Sequence, residues 1–295
     1  MTFDDDARID SSKVRRRGRG RGVAIGAGGG GIVVIGLFLL SQVLGVDLTG
    51  LAPVLDGGGS GSGTSQESEE LTGCSTGADA NASVDCRMAG AATSLSAFWT
   101  VEAGSVGASS YVDPDFFLFD QSTDTGCGQA TSAVGPFYCP PDTAIYIDTA
   151  FYDDLRSKYG STGGPLAEMY VVAHEWGHHI QNLTGVLERA QDGQTGPTSN
   201  GVRVELQADC YAGAWAAGAS RDDGTYGEAL LEPITDAQVA DALSAAAAVG
   251  DDRIQGTTAN SETWTHGSSE SRQKWFTTGY NDGPTACDTF AVATP

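Results

Sequence analysis

Two histidines and a glutamate stand close together in the run 173–181, where His174, Glu175 and His178 form the pattern His-Glu-x-x-His (HExxH). Residues four apart on an α-helix turn through about 400°, so His174 and His178 would project from one face and could share one metal ion. Glu175 would lie beside them, close enough to take a proton from a metal-activated water. The chemistry that this spacing favours is hydrolysis at a zinc ion.

A hydrolytic zinc site needs a third protein ligand and an open position. Glu205 and Asp209, in the run 203–213, are also four residues apart and would share one face of a second helix. We expect Glu205 to complete a His, His, Glu set around one Zn²⁺ ion. Asp209 would then accept a hydrogen bond from the far ring nitrogen of a ligand histidine. The opposite assignment of the two carboxylates stays open on the sequence alone.

Four blocks in chain order carry a resemblance to the bacterial putative neutral zinc metallopeptidases. The blocks are HEWGHHIQ from His174, ELQADCYAGAW from Glu205, GDDRIQ from Gly250 and HGSSESRQKWF from His266. The arrangement also resembles that of gluzincins, which hold zinc with two histidines and a glutamate and place an aspartate one helical turn later. One departure is visible, since Ser271 stands where the resemblance leads us to expect glutamine before Arg272.

The resemblance implies a zincin-like α+β fold, in which the HExxH helix packs under a small sheet beside several other helices. It also implies peptide-bond hydrolysis, and therefore a peptide or protein substrate. Members of the family are typically anchored by one N-terminal membrane segment. The alternative function is a catalytically silent, zinc-stabilised surface domain that binds a protein partner.

The oxyanion formed during peptide hydrolysis needs a further hydrogen-bond donor. His266 is our candidate catalytic residue for this role, because it is the one histidine outside the run 173–181 and opens the fourth block. Tyr211 and Tyr280 are alternatives. His179 would point about 140° away from His174 around the helix, so we expect it to be buried and hydrogen-bonded. For Asp251 and its neighbours we expect no more than a salt bridge in a loop.

Helix signals and apolar patterns predict the elements that position these residues. The predicted helices are 165–182, 202–219, 235–249 and 269–278, and the predicted strands are 116–119 and 144–148. Strand 144–148 precedes the metal helix, and we expect it to be the edge strand that pairs with an extended substrate. An internal strand is equally consistent with its sequence.

Residues 23–46 contain no charged side chain, and 24 residues at about 1.5 Å each reach roughly 36 Å, enough to cross a bilayer core of about 30 Å. Six Lys or Arg residues between 13 and 21 predict a cytoplasmic N-terminus. A cleaved signal peptide is the alternative, although this apolar stretch is longer than such peptides need.

The chain therefore divides into a cytoplasmic basic tail (1–22), a transmembrane helix (23–46), a linker rich in Gly, Ser and acidic residues (47–73) and an extracytoplasmic zinc metallopeptidase domain (74–295). This predicts a single-pass protein of the cell membrane. Six cysteines all follow the apolar stretch, where an oxidising compartment would favour disulfides. Spacing makes Cys74 with Cys86 and Cys127 with Cys139 plausible pairs, which would leave Cys210 with Cys287, but six cysteines permit 15 connectivities.

The formal net charge is −22, although residues 1–46 contain seven Lys or Arg and four Asp, a net +3. An acidic domain should be soluble and should repel nucleic acid, so we expect no nucleic-acid partner. The membrane contact would be made through residues 23–46. The sequence gives no indication of the oligomeric state.

Overall fold

The computed structural model describes residues 2–18, 68–256 and 259–295, and this part of the chain forms an α+β structure. Its helices are α1 (Gly77–Ala82), α2 (Val84–Glu102), α3 (Phe151–Ser157), α4 (Pro165–Leu183), α5 (Val186–Arg189), α6 (Asn200–Gly218), α7 (Asp236–Ala248), α8 (Asp251–Ile254) and α9 (Ser269–Asp282). Its strands are β1 (Arg15–Arg17), β2 (Ser68–Glu70), β3 (Asp115–Phe119), β4 (Ser122–Thr125), β5 (Gly128–Thr131), β6 (Phe137–Cys139) and β7 (Ala144–Asp148).

The four predicted helices are confirmed as α4, α6, α7 and α9, within a few residues at each end. Pro165 occupies the first turn of α4, where its missing N–H costs no hydrogen bond. Thr235 and Gln238 form a reciprocal capping box at the start of α7. These local signals act over one helical turn, which is why the sequence alone locates the helix starts.

The main sheet has the strand order β2-β1-β3-β7-β6. β3 is parallel to both β1 and β7, whereas β6 is antiparallel to β7. The prediction that strand 144–148 lies at the edge is wrong, because β7 is hydrogen-bonded on both sides, to β3 and to β6. The edge strand next to the HExxH helix is β6, which the sequence analysis did not identify.

Both faces of β3 and β7 are buried, in line with their nearly continuous apolar sequences. Phe116 and Leu118 of β3 join the large core shared with the helices. Phe117 and Phe119 point to the opposite face, into a smaller core beneath the β4–β5 hairpin. The sheet is therefore a middle layer with the helices on one side and the hairpin on the other.

The helical layer is organised around α4 and α6, which pack against each other, while α9 packs against α6. A Cβ atom at Gly279 of α9 would lie 1.8 Å from the backbone oxygen of Cys210, so these two helices meet backbone to backbone. A Cβ at Gly213 would likewise lie 2.0 Å from the backbone oxygen of Phe276. Glycine is needed at both positions for this close crossing.

The predicted transmembrane helix at 23–46 lies outside the described residues, as does most of the predicted linker. Within the described ranges, no helix combines the length and the apolar character needed to cross a bilayer. Residues 2–18 pack against the domain, with Phe3 and Val14 buried and β1 paired in the main sheet. This arrangement differs from the predicted separate tail over 1–22 and from a folded domain that begins at 74.

Three disulfides join Cys74 with Cys86, Cys127 with Cys139 and Cys210 with Cys287. They are the pairs that the spacing made plausible. The first ties the start of the main domain to α2, and the second ties the β4–β5 hairpin to β6. The third joins α6 to the C-terminal segment after α9, so a cross-link lies directly beside the helix that carries Glu205 and Asp209.

Candidate metal centre

Side chains from two helices converge on one point between α4 and α6. His174 and His178 come from α4 and Glu205 comes from α6, and ligand atoms of these three residues all lie within 4.8 Å of one another. The Nε2 atom of His174 is 3.2 Å from Oε2 of Glu205, and that of His178 is 3.5 Å from Oε1. Two nitrogens and a carboxylate therefore face a common centre.

The opposite ring nitrogens fix how the two imidazoles point. Nδ1 of His174 is 2.9 Å from Oδ1 of Asp209, and Nδ1 of His178 is 2.8 Å from Oε1 of Gln181. With Nδ1–H donating to these oxygens, both histidines leave Nε2 as a lone-pair donor towards the centre. The geometry thus separates the two carboxylates of α6: Glu205 lies on the ligand side and Asp209 on the far side of His174.

Gln181 is itself held rigidly. It is fully buried, and its Nε2 donates to the backbone oxygen of Val204 and to Oε1 of Gln207. Gln207 in turn donates to the backbone oxygen of Cys287, a partner in the third disulfide. A chain of buried polar contacts therefore runs from His178 to the C-terminal segment.

Asp209 has no exposed surface and is surrounded by donors. The Arg272 side chain, from α9, places Nη2 3.0 Å from Oδ1 of Asp209 and Nε 2.9 Å from Oδ2. The hydroxyl of Tyr170 also donates to Oδ1. Nη1 of Arg272 lies 3.7 Å from Glu205 as well. One buried cation thus pairs with Asp209 and also lies near Glu205, the two carboxylates that flank His174.

These charges dominate the protonation of the centre. Burial alone lowers the pKa of His174, but the charges and hydrogen bonds of Asp209 and Glu205 outweigh it and raise the pKa to about 10. Burial raises the pKa of Glu205, but the opposing charges of His178 and His174 hold it well below its usual range. The negative charges of Asp209 and Glu205 therefore favour a positive charge between the ligand atoms.

Glu175 lies next to the ligands in a buried position at the sheet edge. Burial is the main reason that its pKa is raised above the ordinary glutamate value. The backbone N–H of Tyr138, in β6, donates to its carboxylate. Edge strand β6 thus holds the carboxylate of Glu175, the residue predicted to be the general base.

His179 is buried, as expected, and connects α4 to the sheet. Its Nε2 is 2.7 Å from the backbone oxygen of Val112, and its Nδ1 is 3.1 Å from the hydroxyl of Tyr138. Asn182 donates to the same hydroxyl. These contacts hold the HExxH helix against β6.

His266 lies in the loop before α9, and the charge of Glu205 acts on it. Its Nδ1 is 3.3 Å from Oδ1 of Asp251, and 44% of its side-chain surface is exposed. Oδ2 of Asp251 accepts the backbone N–H groups of Thr265, His266 and Gly267. The partial burial of the ring lowers the pKa of His266, but the hydrogen bond to Asp251 and the charges of Glu205 and Asp251 outweigh that effect and raise the pKa. The buried carboxylate of Asp251 thus positions the partly exposed imidazole of His266.

The two tyrosines that were alternatives to His266 lie in aromatic clusters. Tyr211 packs edge-on against Trp99, and Tyr280 stacks on Phe276. Three residues that the sequence analysis did not assign to the site contribute to it: Gln181, Asp251 and Arg272. Asp251, for which only a loop salt bridge was expected, is instead buried at the start of α8 and accepts three backbone N–H groups. All three belong to the blocks that carried the resemblance, but only their positions in space show which partner each one contacts.

The donor set suits zinc, which takes imidazole nitrogens and carboxylate oxygens in catalytic sites with three protein ligands. Both histidines have buried partners on Nδ1, which is the usual support for zinc-binding imidazoles. His174, His178 and Glu205 are therefore the residues that would hold the ion.

Comparison with known proteins agrees with this chemistry. The family model described as putative neutral zinc metallopeptidase matches residues 4–290. An uncharacterized protein of Mycobacterium tuberculosis H37Rv is 54% identical over 230 residues, which cover 76% of each chain. The uncharacterized protein YpfJ of Escherichia coli K12 is 40% identical over 189 residues, 61% of this chain and 62% of that one. No solved structure matches the chain.

Proposed function

This chain belongs to the putative neutral zinc metallopeptidase family, and from that premise we propose that it hydrolyses peptide bonds as a zinc-dependent endopeptidase. One observation carries the proposal. Nε2 of His174, Nε2 of His178 and the Glu205 carboxylate face one centre, with the Glu175 carboxylate beside them. Three ligands with an adjacent buried carboxylate are what hydrolysis at zinc requires.

When bound, zinc supplies a Lewis acid that polarises the substrate carbonyl and lowers the pKa of water towards neutrality. Glu175 takes a proton from the attacking water and delivers it to the leaving amine nitrogen. The N–H of Tyr138 keeps the Glu175 carboxylate in place, and burial favours the protonated form that must exist between the two transfers.

His266 is proposed to stabilise the oxyanion. The half-exposed imidazole donates from Nε2 towards the substrate, while Nδ1–H is directed to Asp251. Asp251 is a positioning residue in this scheme, because it acts on the substrate only through His266 and the backbone of its loop.

The substrate is proposed to lie in extended form along β6. In the described part of the chain, β6 has a neighbouring strand on one side, β7, and its other side adjoins Glu175 through Tyr138. An added strand would gain main-chain hydrogen bonds there and would bring one peptide group over the metal centre. This moves the predicted edge-strand role from 144–148 to 137–139.

The test compares the full-length protein with Glu175→Gln, after measurement of zinc per chain. We expect about one zinc in both proteins, casein cleavage by the parent, and a loss of cleavage in Glu175→Gln. Glu188→Gln, an exposed carboxylate just after α4, is the matched control and should cleave normally. One zinc without cleavage by the parent would favour the zinc-stabilised binding domain instead, and no zinc would refute the metal centre.

We also propose that residues 23–46 insert into a membrane. These residues lie outside the described ranges, so the support comes from the sequence alone. The stretch is 24 residues long and carries no charged side chain. Fractionation of cells that express the full chain tests this. Recovery in the membrane fraction after a carbonate wash is the expected result, and recovery in the wash would contradict insertion.

A further inference from the structure

Residues 2–17 are joined to the main domain by specific backbone contacts. The N–H of Asp4 donates to the backbone oxygen of Leu230, and the backbone oxygen of Thr2 accepts from Glu232. The Asn81 side chain accepts from the N–H groups of Thr2 and Phe3 and donates to the backbone oxygen of Phe3. These closely spaced hydrogen bonds fix the register of the segment against the main domain.

The surface beneath the segment is shaped to receive it. Phe3 is 1% exposed, and a Cβ atom at Gly90 of α2 would lie only 2.6 Å from its ring. A Cβ at Gly77 would lie 1.7 Å from the backbone oxygen of Asp4. Two helical glycines thus leave the space that the segment fills, although glycine in a helix costs stability relative to alanine.

The segment ends as a strand of the main sheet. β1 lies between β2 and β3, and Val14 just before it is fully buried. Arg17 at the end of β1 is paired with Ser68 at the start of β2. The two described positions that flank the residues outside the described ranges therefore lie side by side.

Basic side chains of the segment are paired with the domain. Arg17 places its guanidinium carbon 3.9 Å from the ring centroid of Phe117, which is cation–π geometry. The ion pairs are Lys13–Asp113 (2.7 Å), Arg16–Asp85 (2.5 Å) and Arg16–Asp120 (2.8 Å). These are among the charges that predicted a cytoplasmic tail, and in the folded protein they contact the acidic domain instead.

We propose that residues 2–17 and residues 68–295 form one folded unit, so that both lie on the same side of any membrane into which residues 23–46 insert. A single crossing at 23–46 would separate the segment from its binding surface and leave Phe3, Val14 and the pairs above without partners. The charge rule that predicts a cytoplasmic N-terminus and an outward domain therefore does not hold for this chain. This inference does not depend on peptidase activity.

Cross-linking of a cysteine pair tests the proposal in membranes from cells that express the full chain. Arg16→Cys and Glu69→Cys occupy partner positions on β1 and β2, about 4.5–5.5 Å apart at Cα. The six native cysteines are all in disulfides, so a short, membrane-permeant bis-maleimide should join the new pair. A protease site placed in 57–66 then separates the two parts of the chain.

We expect the fragments to stay joined in the double variant and to separate in each single variant. Separation in the double variant would overturn the proposal. A covalent dimer would show that the segment binds to a second copy, which would also overturn the assignment to one chain.

The contact between Phe3 and Gly90 gives an independent thermodynamic test in the full chain. Gly90→Ala should lower Tm by several degrees when Phe3 is present, because the new methyl group clashes with the ring. In the Phe3→Ala background the same change should be neutral or raise Tm, since alanine favours the helix. An equal change of Tm in both backgrounds would show that Phe3 does not occupy this site.

Discussion

Replacing Arg272 with methionine removes the guanidinium that pairs with the buried carboxylate of Asp209. Arg272 and Asp209 have 2% and 0% of their side-chain surface exposed, so solvent screens the pair very little. Removing one partner of a buried ion pair costs about 3–5 kcal/mol, since the other charge stays desolvated. Tyr170 and His174 still hydrogen-bond to Asp209, which places our expectation near the lower end, at about 3 kcal/mol.

The assay is urea unfolding in the presence of a chelator, so that zinc binding does not contribute to the measured free energy. The matched control is Arg221→Met, because Arg221 pairs with Asp223 at an exposed site with 52% and 46% of the side chains accessible. That substitution should cost less than about 1 kcal/mol. The double variant Arg272→Met with Asp209→Asn should recover part of the loss, because the desolvated negative charge that Arg272 no longer balances is removed.

The free energy of unfolding of the exposed control Arg221→Met should lie within about 1 kcal/mol of the parent value. If that of Arg272→Met also lies within this range, the reasoning on the buried pair is refuted. The same variant provides a second readout. Zinc affinity should fall by about 10–100-fold, because Asp209 and Glu205 lose the cation that holds them in position. A loss of stability with unchanged zinc affinity would limit the role of Arg272 to folding.

Three further outcomes follow from the site and its supports. Gln181→Leu should weaken zinc binding by about 10–100-fold in a chelator competition, since His178 loses the acceptor for Nδ1; unchanged affinity would contradict that role. His266→Ala should lower kcat by about 10²–10³-fold at unchanged zinc content, and an unaffected kcat would exclude it as oxyanion donor. Replacing both Cys210 and Cys287 with serine should lower the unfolding free energy by about 2–5 kcal/mol, measured in urea; a smaller loss would show that the bridge adds little to the fold.

The sequence predicted those features of the fold that depend on local patterns. The HExxH helix was predictable because its start, its stop and the spacing of its histidines all lie within one continuous segment. The long helix α2 was not predicted, because it is rich in alanine and other small residues and is buried along most of its length, so no single apolar face stands out. The edge strand β6 has only three residues, too few for alternation to be recognised.

The parts of the site that could not be predicted depend on contacts over long sequence separations. Arg272 meets Asp209 across 63 residues, and only the packing of α9 on α6 brings them together. The burial of the basic N-terminal segment was missed for a similar reason. The segment has the basic composition of a solvated tail. The partners of its charged side chains, Asp85, Asp113 and Asp120, lie about 70 to 100 residues further along the sequence.

Helix α6 contributes to the structure on every side of its axis. Glu205 and Asp209 face the metal centre, Gln207 contacts the C-terminal segment, Cys210 forms a cross-link and Gly213 adjoins the backbone of α9. Most helices in globular proteins have an exposed stripe that accepts substitutions every three or four residues. In α6 that tolerance should be absent from 204 to 216, where the described residues are almost all buried. Natural variation in this family should therefore be slowest along this one helix, with no periodic pattern of permitted changes.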